Sequence, residues 1–105
     1  MAQFDVHTNP GPSRAGFPYL LVLQSSLFRT GDRWVVIPLA PAGEFPVQDA
    51  RLNPVFTIEG ASYVLVTMGI TNVPRERLGA AVANLREDSE SIIDAVDWMM
   101  NRGWK

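Results

Sequence analysis

The side chains able to do covalent or acid–base chemistry are few and scattered. His7 is the only histidine and there is no cysteine, which removes thiolate nucleophiles, disulfides and the usual imidazole and thiolate metal sites. A serine-type triad needs a serine and a carboxylate beside His7, and nothing in the sequence marks such a pair. His7 therefore reads as structural or solvent-facing. Gly11, Gly16, Gly31, Gly43, Gly60, Gly69, Gly79 and Gly103 are dispersed and match neither phosphate-cradling pattern. Arg29, Arg33, Arg75 and Arg77 fall in turn regions and read as solvated surface charge. No catalytic residue, metal ligand or cofactor site is expected. Trp98, Met99, Met100 and Trp104 lie near the end of the chain, where methionines that adapt to irregular surfaces and aromatics that anchor interfaces could form a hot spot, while Met99 also reads as core.

The elements that must position these residues belong to one domain. At 105 residues a single core serves the whole chain, 1–105. A composition 47% hydrophobic and 19% charged is that of a folded globular protein. A domain this small buries only about two-thirds of its unfolded surface, so a dimer interface would help it. The net charge of -2 and pI near 5.2 argue against a phosphate backbone as main partner, and direct nucleic-acid binding is not expected. The absence of cysteine suits a reducing cytoplasm. The start MAQFDVHT has no export pattern and no segment is apolar for long enough to span a membrane, so a cytoplasmic protein is expected.

Along the chain, Gln3–Thr8 reads as a first strand and Asn9-Pro10-Gly11-Pro12-Ser13 as a loop. Tyr19–Leu23 suits a strand buried on both faces. Thr30-Gly31-Asp32 marks a turn into Trp34–Ile37, with Pro38 ending the pairing; these two strands form a hairpin. Trp34 reads as a core or dimer-contact residue. Three prolines make Pro41–Pro54 an irregular excursion with at most one helical turn. Val55–Ile58 and Tyr63–Met68 form the clearest hairpin, read as the centre of the sheet, and Val73-Pro74 turns the chain. Leu78–Leu85 is compatible with helix or strand. The final helix follows Asp88 or Ser89 as a cap, with Ile92, Ile93, Val96, Met99 and Met100 recurring at three- and four-residue steps. Arg102 and Gly103 suit its end, and Glu87, Asp88 and Glu90 suit its first turn. Trp98 falls well off the apolar stripe, beside Asp94 and Asp97, where the core of its own domain does not account for it.

Gln3-Phe4-Asp5-Val6, Val22-Leu23-Gln24-Ser25 and Arg33-Trp34-Val35-Val36-Ile37-Pro38-Leu39-Ala40 resemble, in order and spacing, the opening half of CcdB-type toxins of type II toxin–antitoxin systems. Leu52-Asn53-Pro54-Val55, Val73-Pro74, Val82-Ala83-Asn84-Leu85 and a last helix ending in Met99 continue the likeness over nearly the whole chain. The resemblance implies a mainly β fold, a small SH3-like antiparallel barrel of about five strands with one C-terminal helix, related to MazF. It implies a short strand within 78–85 and a symmetric homodimer. It implies a non-enzymatic protein that grips the DNA gyrase A subunit, traps gyrase on cleaved DNA and is neutralised by a CcdA-type antitoxin. Carried across by position, the contacts fall on Asp97, Met99 and Met100, with Trp98, Gly103 and Trp104 beside them, and on Leu27 and Phe28 after the second strand. The tail departs from the pattern: the best-known members end in Trp-Gly-Ile directly after the helix, whereas this chain has Asn101-Arg102-Gly103-Trp104-Lys105. Two alternatives stay open, a MazF-like endoribonuclease and a degenerate relative whose altered tail has lost toxicity.

Overall fold

The structure is a computed structural model that describes residues 2–28 and 31–103. Its strands are β1 (Asp5–Thr8), β2 (Tyr19–Val22), β3 (Arg33–Pro41), β4 (Val55–Ile58), β5 (Ala61–Leu65), β6 (Thr71–Pro74) and β7 (Ala81–Asn84), followed by one helix, α1 (Ser89–Met99). All pairings are antiparallel, in the order β4-β5-β3-β2-β1-β7 with β6 beside β3. The result is a curled half-barrel with the helix at its C-terminal end.

β3 organises the curl. Its first half pairs with β6 (Arg33↔Pro74 to Val36↔Thr71) and its last residues with β5 (Leu39↔Leu65 to Pro41↔Tyr63) on the same edge, while β2 lies along the other. Pro38, read from sequence as the end of pairing, is instead inside this strand, opposite Leu20. It sits where that edge changes partner from β6 to β5, so the missing N–H breaks no regular ladder, and its carbonyl still accepts the Val66 N–H at 2.9 Å.

Side chains alternate between two faces as the pleat requires. Val6, Leu21, Ile37, Leu39, Phe56, Ile58 and Leu65 point to the concave side, where Ile92 and Ala95 of α1 complete the core. Leu20, Val22, Trp34 and Val36 form a second buried cluster, covered in part by Val73 and Leu78. Trp34 is thus a core residue, as expected. Phe4 reaches the main core with φ +69, a left-handed turn that a non-glycine residue adopts at some cost; bonds from Phe4 N–H to Val22 and from Leu85 N–H to Phe4 hold it.

Four further expectations are corrected. The β4–β5 hairpin lies at an edge and not at the centre of the sheet; its two-residue turn, Glu59-Gly60, has positive φ at both positions, the twist-matched hairpin geometry. β5 stops at Leu65, and Thr67–Gly69 is a 3₁₀ turn, because the Thr67 hydroxyl turns aside to donate to the Leu52 carbonyl at 2.6 Å. Val73 and Pro74 end a strand, β6, and the turn comes one residue later at Arg75–Arg77; with β7 this makes seven strands among the described residues. The helix ends at Met99 with Met100 as its cap, short of Gly103. At the other end Asp88 holds the cap position without a side-chain bond, since a 3₁₀ turn, Arg86–Asp88, runs directly into α1. The segment 41–54 contains one 3₁₀ turn, Ala42–Glu44, and is otherwise irregular, as read.

One glycine is demanded by close approach. Gly79 and Thr8 exchange backbone contact (Gly79 N–H to Thr8 carbonyl, 2.9 Å), beside the irregularity in the β1–β7 pairing at Val6/His7. A Cβ at Gly79 would overlap the Thr8 hydroxyl and lie 2.9 Å from its carbonyl oxygen. Gly79→Ala is expected to lower stability by about 1–3 kcal/mol through overpacking, measured by denaturant unfolding. Gly43→Ala, which meets nothing within 4 Å, serves as the comparison and is expected to be neutral; equal effects would contradict this account.

Candidate functional site

The helix decides which apolar side chains are spent on the interior. Ile92 and Ala95 are fully buried, Val96 packs against the core and Met99 is half-buried. The other apolar positions of the helix read from sequence do not follow them inside: Ile93 is 41% exposed and Met100 71% exposed. At 100° per residue these two lie about 20° apart on the wheel, with Asp97 between them and the solvent side. Asp97 is exposed. The Thr67–Gly69 turn packs beside α1, and its Met68 is 69% exposed. Sequence reasoning missed Met68 because it closes a run, Tyr63–Met68, that reads as strand; the strand ends at Leu65 and the last three residues of the run lie beyond it.

Trp98 is placed differently from the expectation. It lies about 160° from Met100 around the helix, so the two do not form one patch on the helix body. Its own chain accounts for it: the indole N–H donates to Asp49 Oδ2 at 2.8 Å, and the Arg51 guanidinium stacks 4.6 Å from the ring centroid. Arg51 also grips Asp94 with two bonds of 2.8 Å each. Trp98 remains 37% exposed, as the flank of the site and not its free tip. The charges respond. The Trp98 N–H, then the Leu52 and Arg51 backbone N–H groups, hold the Asp49 carboxyl below its usual range, and the Arg51 guanidinium does the same for Asp94.

Leu27 and Phe28 lie in the 3₁₀ turn Ser26–Phe28 after β2 and are 84% and 67% exposed. The turn is closed by Phe28 N–H to the Ser25 carbonyl, 3.0 Å, Leu27 N–H to the Ser25 hydroxyl, 3.2 Å, and the Gln24 amide to the Phe28 carbonyl. Among the described residues no hydrogen bond joins this turn to α1. Gly103 is exposed beyond the helix, and Trp104 lies outside the described residues.

The residues with reactive groups are accounted for otherwise. His7 is buried and its Nδ1 bonds to the Gly79 carbonyl at 2.9 Å, a structural role in the β1–β7 edge. Arg33 and Arg77 line a cleft of about 450 Å³ between the loop after β1 and β6, floored by Phe17, Leu20 and Val73. Arg33 is held by the Asn72 side chain and carbonyl. The lining contains no carboxylate and does not include His7. No helix among the described residues is long and apolar enough to cross a membrane.

The chain is thus a curled antiparallel sheet with one terminal helix that leaves Ile93 and Met100 exposed. Residues 3–102 match the family model described as CcdB protein, and the chain belongs to the CcdB family. That membership places it with the toxins of toxin–antitoxin pairs.

Because Asp49 and Asp94 have depressed carboxyl pKa values in the folded chain, the attachment of the 49–51 segment to α1 is complete above the unfolded carboxylate range and is lost as pH falls through the folded values. The indole N–H resonance of Trp98, assigned with Trp98→Phe, is expected to titrate with a midpoint below 3.8, the ordinary aspartate value. A midpoint at or above 3.8 would contradict the proposed bonding.

Proposed function

We propose that this protein is a toxin that binds the DNA gyrase A subunit through the end of α1, traps gyrase on cleaved DNA, and is neutralised by a CcdA-type antitoxin. One observation carries the reading: the outward flank of α1 leaves Ile93 and Met100 exposed around Asp97, with Met68 beside the helix, although the same helix has a core in which to bury apolar side chains. Exposed apolar groups on a small subunit suit a protein interface, and methionine adapts to an irregular partner surface. The working unit is a homodimer, which presents two such ends, and the exposed Leu27 and Phe28 offer further apolar contact to the same target. The protein acts by occupancy, without catalysis.

The second reading, an endoribonuclease, draws on Arg33 and Arg77 in the cleft. RNA cleavage also needs an acid–base pair in reach of the 2′-hydroxyl, and the lining supplies neither a carboxylate nor an imidazole. Gyrase binding is favoured on that ground.

Met100→Glu and Ile93→Glu are expected to weaken binding to purified gyrase A by about 10–100-fold, the size of an interface hot spot. Both positions are solvent-facing, so the thermal midpoint stays within about 2 °C of wild type. Wild-type chain added to gyrase and DNA is expected to accumulate cleaved DNA. Gyrase binding that survives both substitutions would move the site elsewhere. RNA cleavage without any effect on gyrase would replace this reading with the nuclease, and unimpaired growth on expression without antitoxin, with folded protein present, would show a relative that has lost toxicity.

A further inference from the structure

The last turn of α1 is weak by itself. An 11-residue helix holds poorly without tertiary support. Its last turn contains no basic residue, while Asp94 and Asp97 add negative charge toward the end where the backbone dipole is already negative. No glycine closes it, since Met100 is the cap. The core fully buries Ile92 and Ala95 and takes Val96 and Met99 only in part, leaving Asp97 and Met100 exposed. A second hold on that last turn comes from outside the core.

The 49–51 segment supplies it. Its base is fixed to the sheet at two buried side chains: the Asn53 amide donates to the Leu65 carbonyl at 3.1 Å, and the Thr67 hydroxyl to the Leu52 carbonyl at 2.6 Å. From that base Asp49 folds back on itself, with Oδ1 accepting the Arg51 and Leu52 N–H groups at 3.0 and 3.1 Å. This leaves Oδ2 for the Trp98 indole and sets Arg51 between Asp94 and the Trp98 ring. Asp94 and Trp98 are one helical turn apart, so the segment spans the turn in question. Arg51 delivers to this end of the helix the cation that the helix lacks.

We propose that Asp49 and Arg51 are positioning residues for partner recognition, clasping Asp94 and Trp98 so that the last turn stays helical and presents Asp97 and Met100 in a single arrangement. The proposal rests on the helix-end reading given above. Exposed ion pairs add little to global stability, so the consequence is local: a flank held ready before binding spares the ordering cost that binding otherwise carries. Arg51 uses both its planar fork and its stacking face, which lysine cannot reproduce together.

The test compares Arg51→Ala and Arg51→Lys with wild type in the full chain, by amide hydrogen exchange at residues 97–101, thermal midpoint and affinity for purified gyrase A. Arg51→Ala is expected to speed exchange in the last turn roughly tenfold while leaving the amides of Leu21 and Ile92 unchanged, the pattern of local fraying. Gyrase affinity is expected to fall about tenfold with little change in thermal midpoint, and Arg51→Lys to fall between. Unchanged exchange at 97–101 in Arg51→Ala overturns the clasp irrespective of any partner. Faster exchange with undiminished gyrase affinity overturns its role in recognition. A wild-type chain with no affinity for gyrase A overturns the partner reading and that role together, and the exchange data alone then decide the clasp.

Discussion

Burial of Ile92 and Ala95 against the concave face of the sheet is the contact on which the rest of the architecture depends. Both are fully buried, among Val6, Leu21, Ile37, Leu39 and Leu65, and a side chain the size of isoleucine contributes about 1.5–3 kcal/mol when removed from water. The helix is too short to stand without this contact, and the sheet's concave face would be left open without the helix. The contact also fixes the rotation of α1. With Ile92 and Ala95 inward, Ile93 and Met100 must face outward, and Asp94 and Trp98 must face the 49–51 segment. The candidate interface is therefore a by-product of core packing geometry, not a separate structure added to it.

The sheet earns its curvature at β3. One nine-residue strand serves β6 and β5 in succession along one edge, and the change of partner falls at Pro38, the residue that has no N–H to give. The same bend brings the Thr67–Gly69 turn against α1, which places Met68 beside the helix. Backbone chemistry at Pro38 and side-chain exposure at the helix end thus belong to one chain of causes.

Much of this was legible in the residues. β-branched and aromatic runs located β2, β3, β4 and β5, and the periodicity of Ile92, Val96 and Met99 located α1. Pairing order was not legible, because β4–β5 has the strongest local hairpin signal whether it lies at an edge or in the middle. Pro38 misled for a related reason: proline rules are local, and the exchange of strand partners that tolerates it is tertiary. Within the site, the exposure of Met100, Leu27 and Phe28 was not legible from spacing alone, since Met100 falls among the periodic apolar positions of α1. Trp98 was rightly seen to lie off the apolar stripe, but its explanation required Asp49 and Arg51, which are 49 and 47 positions away in sequence and have no periodic relation to it.

The central claim is that the outer flank of α1, and not the arginine-lined cleft, meets the target. Amide exchange across the whole chain, compared with and without purified gyrase A, measures this most directly. Protection is expected over residues 93–101 and around Met68, with the loop 9–17 and residues 71–77 unchanged. Protection concentrated on the cleft segments, with the end of α1 still exchanging freely, would contradict it.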